Sequence, residues 1–208
     1  MAADAERGIT GQEGGRQAEV RRQTRETDIV VRLNLDGAGR WELDTGVPFL
    51  DHMLSHVAMH GLFDLAVTCR GDTEIDDHHS VEDIGICLGQ ALTQALGDKK
   101  GLVRYGSQWM PMDEALVLVA LDISGRPLLV YEAPLPTARV GAFDTELVPE
   151  FLRALATHAG LTLHVTLLHG ANSHHIIEAV FKGLGRALGQ AVAIDPRRGG
   201  VPSTKGML

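Results

Sequence analysis

Two stretches of this chain are copies of one another. "HHSVEDIGICLGQALTQA" (78–95) lies over "HHIIEAVFKGLGRALGQA" (174–191) without a gap, and about half the positions are identical. The shared positions include both histidines, the glutamates Glu82 and Glu178, Leu88/Leu184 and Gly89/Gly185. Two unrelated helices do not agree to that degree. The offset of 96 residues is too long for a solenoid period and suits a duplicated half-domain.

Other landmarks keep the same order in both halves. "PFLDHMLSHVAMHGL" (48–62) reads as an apolar helix closed by Gly61, and "ELVPEFLRALATHAGL" (146–161) as another closed by Gly160. The alternating stretches "FDLAVTCRGD" and "TLHVTLLHG" that follow read as strands. Ahead of the helices, "TDIVVRLNLDGAGRWELDTG" and "ALVLVALDISGRPLLVYEAPL" read as hairpins, turning at Asp36–Gly39 and Ser124–Pro127. Each half thus reads strand, strand, helix, strand, helix. The expectation is an α+β protein of duplicated half-domains, with two sheets, each backed by helices, facing one another. Residues 1–17 are expected as a disordered tail, 18–101 and 102–199 as the repeats, and 200–208 as a C-terminal segment.

Composition narrows the function classes. A formal charge of −8 opposes wrapping of nucleic acid or binding to an anionic membrane, yet leaves room for a small phosphorylated ligand held by a local basic cluster. No apolar run approaches the roughly 18 residues of a membrane span, and "MAADAERGITGQEGG" lacks the apolar stretch of a signal peptide. The two cysteines, Cys69 and Cys87, have no framework spacing and point to a reducing, cytoplasmic setting.

The histidines carry the chemistry. Each motif opens a predicted helix with Asp77 or Ser173 as N-cap. Helix geometry puts His79 with Glu82, and His175 with Glu178, on one face, as a pair able to share a cation. His78 and His174 diverge by about 100° and point toward a different ion. Two such helices suit two metal centres, each drawing on both repeats. Neither motif is H-E-x-x-H, so a zinc-protease reading fails. His52, His56 and His60 lie along one face of the first long helix. His52, near the helix start, is the better ligand candidate, and a polar stripe accounts equally well for His56. The position nearest His52 in the second repeat carries Glu150. His158, His164 and His169 have weaker claims, and His164 is expected to be half-buried in a strand.

With these motifs in place the sequence resembles the imidazoleglycerol-phosphate dehydratase family. The resemblance rests on "RETDI" (25–29), "PFLDHMLSHVAMHGLFDL" (48–65), "DDHHSVEDIGICLGQAL" (76–92), "SGRPLL" (124–129), "NSHHIIEAVFKGLGRAL" (172–188) and "GVPSTKG" (200–206). It implies a duplicated fold of two four-stranded sheets with helices, of the ribosomal protein S5 domain 2-like kind. It also implies a homo-oligomeric shell of 24 subunits and two manganese ions per active site at subunit interfaces. The implied metal ligands are His52, His78, His79, Glu82, Glu150, His174, His175 and Glu178. Many relatives have His where this chain has Glu150. Imidazole and carboxylate ligands alone would suit zinc or iron equally.

The reaction implied is loss of water from imidazoleglycerol phosphate to give imidazole-acetol phosphate, a hydro-lyase step of histidine biosynthesis. No carbonyl activates the C–H bond to be broken, so the imidazole ring itself must accept electrons. A cation on each ring nitrogen favours the imidazolate, which expels the neighbouring hydroxyl to give a diazafulvene. Glu26 is the candidate acid/base by resemblance, with Glu82 and Glu178 as further catalytic carboxylates. Substrate contacts are expected from Glu26, His52, His56, His60 and His174, and phosphate contacts from Arg104, Arg126, Lys182, Ser203 and Lys205. Two other readings stand beside this one. A hydrolase would activate water between two ions, and a non-catalytic cage protein would use its histidines for metal storage or assembly.

Overall fold

The computed structural model describes residues 15–208, so the expected N-terminal tail lies almost wholly outside the described residues. The first half runs β1 (Gln17–Gln23), β2 (Thr27–Asn34), β3 (Trp41–Asp44), α1 (Pro48–Gly61), β4 (Asp64–Gly71) and α2 (His78–Leu96). The second runs β5 (Tyr105–Met112), β6 (Ala115–Asp122), β7 (Leu128–Glu132), the short pair β8 (Arg139–Val140) and β9 (Phe143–Asp144), α3 (Leu147–Ala159), β10 (Thr162–His169) and α4 (Ser173–Val192). Each half therefore has a leading strand, β1 or β5, that the pattern of the sequence did not reveal.

The expected hairpins are not hairpins. The sheet orders are β1-β2-β4-β3 and β5-β6-β10-β7, so a strand from beyond the helix inserts between the two expected partners. β3 and β7 pair parallel to β4 and β10. Turn residues at Asp36–Gly39 and Ser124–Pro127 reverse the chain, but the helix that follows forms a β-α-β crossover and leaves space for its strand. The true hairpins are β1–β2 and β5–β6.

Ladder registers measure the duplication. Thr27 pairs with Gly71 in the first sheet, and Ala115 stands in its place in the second. β1, β2 and β3 map onto β5, β6 and β7 at one constant offset, while α1–β4 maps onto α3–β10 at an offset ten residues larger. The β8–β9 pair lies in the second repeat's longer β7–α3 connection, where that increase arises. The helix ends fix the second offset independently. Leu62 and Gly160 are both left-handed, with φ of 59° and 64°, and the next residue's N–H bonds to Ala58 O or Ala156 O. The cap of α1 is thus Leu62 rather than Gly61, and its counterpart Gly160 places His52 on Glu150.

The helices form the middle of the molecule. α2 packs on β1 and β2 with one face and on α3 of the other repeat with another, while α4 packs on β5, β6 and α1. The sheets therefore face one another across a double helical layer, and their outer faces look to solvent. The duplicated glycines explain the closeness of the layer. A Cβ on Gly89 would stand 2.9 Å from Leu155 O, and one on Gly185 would stand 2.8 Å from Val57 O. Phe151 and Phe181, both fully buried, meet at the centre with rings 5.4 Å apart. Cys69 and Cys87 are buried free thiols in β4 and α2.

One buried carboxylate ties the first sheet to its loop. Asp64, 1% exposed, accepts from the N–H groups of Ala38 and Arg40 at 2.9 and 3.1 Å and pairs with the Arg40 guanidinium. Burial by itself would raise its pKa; the Arg40 pair and the two N–H groups win and hold it below its ordinary value. A depressed carboxylate lends stability above its unfolded pKa and loses it on acidification. Asp64→Asn is expected to flatten the fall in urea midpoint between about pH 5 and pH 3 relative to the wild type. Parallel acid limbs would show that Asp64 does not contribute in this way.

Candidate active site

The expected His52 face of α1 meets the start of α4. Glu178, 7% exposed, is the centre of this group. His174 Nε2 lies 3.1 Å from its Oε2, His52 Nε2 3.6 Å from the same oxygen, and His56 Nε2 3.5 Å from Oε1. Lys182 Nζ sits 2.6 Å from Oε1, one helical turn further on. Burial pushes Glu178 up, but Lys182 and the histidines override it and hold the carboxylate at about 2. Burial, opposed by Glu178, pushes His56 down to about 4. His60 is pushed down by burial and by Lys182 and Arg186. Phe49 closes the apolar side, edge-on to His174 at 5.3 Å.

The second group surrounds the start of α2. His78 Nε2 lies 3.9 Å from Glu82, and His79 turns away, its Nδ1 3.0 Å from Asp72 and its Nε2 3.9 Å from Glu26. The pairing found is therefore i to i+4, His78 with Glu82 and His174 with Glu178, instead of the expected His79–Glu82 and His175–Glu178. Residues four apart stack along the helix axis, whereas His79 and His175 at the outer edge of the first turn find carboxylates from other loops. His175 Nδ1 lies 2.6 Å from Glu114, which also accepts from the N–H groups of Ala171 and Asn172. Those contacts hold Glu114 at about 2, led by the His175 bond.

Asp77 holds the N-cap position of α2 as expected, whereas at α4 that position belongs to Asn172 and not Ser173. Asn172 caps α4, accepting from the N–H groups of His174 and His175, while the Ser173 hydroxyl bonds Thr137. At α2 the His78 N–H bonds Asp76, 2.8 Å away, and the Asp77 side chain makes no cap bond. Glu150, in the first turn of α3, is held by Arg153 at 2.5 Å. His164 lies on the outer face of β10 and is exposed, so the alternation holds but the expected half-burial does not, because that face of the sheet looks to solvent.

A third region lies at the C-terminus. Arg104, Arg126, Ser203 and Lys205 line a cavity of about 690 Å³, joined there by Arg198, which the sequence had not suggested. Arg104 is nearly buried and has a left-handed backbone, φ 80°, held by bonds from its N–H to Ala191 O and from Ile123 N–H to its own O. Its guanidinium forks onto Asp122 at 2.6 and 3.0 Å and donates to Pro202 O at 2.7 Å, which anchors the terminal segment. Lys182, expected among the phosphate cations, stands instead with the histidines. Among the described residues no hydrogen bond or ion pair joins the α1/α4 group to the α2 group.

The residues fit a cation. One ligand atom from each of His52, His56 and Glu178 lies within 4.8 Å of the others. His56 Nε2 is buried without any hydrogen-bond partner, an unmet lone-pair or N–H position facing that carboxylate. The arginine-lined cavity lies apart from this cluster, toward the other end of α4. Imidazole–carboxylate clusters of this kind define a class of enzymes that work by metal-assisted or acid–base chemistry.

The comparisons with known proteins specify which. The sequence profile of the imidazoleglycerol-phosphate dehydratase family matches residues 45–188. A curated imidazoleglycerol-phosphate dehydratase from Cereibacter sphaeroides (strain KD131) is 61% identical over 194 residues, covering 93% of this chain and 100% of its own. That of Moorella thermoacetica is 60% identical over 193 residues, covering 93% and 98%. The crystal structure of the Staphylococcus aureus enzyme matches with a TM-score of 0.79 at 44% identity, over 86% of this chain and 99% of that one. The Pyrococcus furiosus structure matches with a TM-score of 0.79 at 40% identity, over 91% and 100%. The chain belongs to the imidazoleglycerol-phosphate dehydratase family. Its reaction is the hydro-lyase step of histidine biosynthesis on imidazoleglycerol phosphate, and the hydrolase and storage readings fall away. No helix among the described residues is long and apolar enough to cross a membrane.

Proposed function

We propose that this dehydration runs on two divalent cations, manganese by family resemblance, held by His52, His78, His79, Glu82, Glu150, His174, His175 and Glu178. The observation that carries the proposal is the buried, unpartnered Nε2 of His56 beside the convergent His52 and Glu178. His56 belongs to this group as a further ligand or ring contact. Bound cations supply the Lewis acidity that stabilises a deprotonated imidazole ring.

The chain's own groups do the rest. Glu26, exposed on the β1–β2 turn and facing His79, holds the proton taken from the C–H next to the departing hydroxyl. Lys182 keeps Glu178 anionic, and Phe49 excludes water from the His174 side. Arg104, Arg126, Ser203 and Lys205 bind the phosphate, with Asp122 fixing the Arg104 fork. Two histidine groups that do not touch within one subunit support a homo-oligomer, 24 subunits by resemblance. In it the α2 group of one copy completes the α4 group of another. The working compartment is the cytoplasm.

Exhaustive chelation is expected to abolish ketone formation from imidazoleglycerol phosphate, and added Mn(II) to restore it. Full turnover after chelation would remove the proposal. Lys205→Ala is expected to raise KM by about 10-fold or more with metal content unchanged, since charge-assisted bonds to phosphate contribute roughly 1.5–3 kcal/mol. An unaltered KM would take Lys205 out of the phosphate site.

A further inference from the structure

We infer that Asp72 and Glu114 are positioning residues that fix the ring tautomer of His79 and His175, so that in both repeats Nε2 is the nitrogen presented to a cation. The inference deepens the metal reading above and rests on it. Neither carboxylate belongs to the duplicated His-His-x-x-Glu pattern. Both stand at the same nitrogen of equivalent histidines, Asp72 at 3.0 and 3.2 Å from His79 Nδ1 and Glu114 at 2.6 Å from His175 Nδ1. An ionised carboxylate only accepts, so each Nδ1 must carry the hydrogen. In a neutral ring the remaining lone pair then resides on Nε2.

The two devices are built differently from different loops. Asp72 follows the end of β4, and its side chain has His79 as its one hydrogen-bond partner among the described residues. Glu114 lies in the β5–β6 turn and is the register equivalent of Glu26, since the ladders place Ala115 where the first sheet has Thr27. The second repeat has thus turned its copy of the Glu26 position to the support of a histidine. Glu114 also receives the N–H groups of Ala171 and Asn172, so the same carboxylate sets the entry of α4 and the ring at its third residue. On the far side, Glu26 and Asp113 stand 3.9 and 3.6 Å from the two Nε2 atoms. Each imidazole is therefore held between an orienting carboxylate and an open acidic face. Partners of this kind restrict ring rotation and raise ligand basicity, and their loss costs about 10–100-fold in metal affinity.

The test uses the full chain, stripped of metal and titrated with Mn(II), with free ion followed by electron paramagnetic resonance. Asp72→Ala and Glu114→Ala are expected to weaken Mn(II) binding by about 10–100-fold. Asp72→Asn and Glu114→Gln, whose amide oxygen still accepts from Nδ1–H, are expected to stay within a few-fold of wild type. Loss through general loosening would not discriminate between the alanine and the amide at one position. Wild-type affinity in the alanine variants, or equal losses in alanine and amide variants, would overturn the inference. Because Glu114→Ala also frees two helix-entry N–H groups, the Asp72 pair decides the matter should that variant fail to fold. A wild-type protein that binds no Mn(II) would sink the metal reading itself, a separate result.

Discussion

Glu178→Ala is expected to lower kcat/KM by on the order of 10³-fold or more, about 4 kcal/mol of transition-state stabilisation, and to lose bound metal at the same time. Three imidazoles and one ammonium converge on this carboxylate. Its removal leaves His52, His56 and His174 without the anion that draws them together. It also leaves Lys182, 18% exposed at the side chain, as an unpaired cation among them. Like charges in that position repel a divalent ion, so the loss exceeds that of one ligand bond. Glu178→Gln keeps the shape and one oxygen and is expected to fold normally while remaining metal-poor. Activity and metal content are to be measured on the same samples. Metal retained at wild-type stoichiometry in both variants would take Glu178 out of the ligand set.

Gly106→Val is expected to destabilise the fold by more than about 3 kcal/mol, beyond the usual range for overpacking. β5 crosses α4 at this residue, and any Cβ there would overlap the carbonyl of Ala187. The obstacle is backbone on both sides, so no rotamer change relieves it. At the register-equivalent position of the first sheet stands Ala18, which packs against the core with its methyl. Ala18→Val is therefore the natural control, with a smaller loss. The melting temperature of Gly106→Val is expected to fall by about 10 °C or more, and an unchanged value would mean that α4 can shift away from β5.

The parts of this protein legible in its sequence are those set by local chemistry. The His-His-x-x-Glu copies were visible because both keep the same residue types at the same spacing, and Gly160 announced its helix end by the left-handed backbone it needs. Strand neighbours were not legible. The turn at Asp36–Gly39 looks like any hairpin, and only the placement of β4, fixed by α1 packing on β3 and α4, shows that β2 and β3 are separated. The constant 96-residue spacing also concealed a larger rearrangement, since the leading strands and the α1–β4 unit follow other offsets. At the site, residue types were readable and partners were not. His56 was expected beside the substrate and proves to face Glu178; Asp72 and Glu114 had no signal, because an acid in a turn is ordinary until a histidine from another element meets it. Arg104 likewise gave no sign of its left-handed backbone.

The proposed dehydration depends on a ring gripped at both nitrogens. Anomalous diffraction at the manganese edge, from crystals of the metal-loaded protein with bound imidazoleglycerol phosphate, tests this most directly. The predicted result is two peaks flanking the imidazole, each within about 2.3 Å of histidine nitrogens drawn from both repeats. A single peak, or peaks confined to the phosphate among Arg104, Arg126 and Lys205, would contradict it.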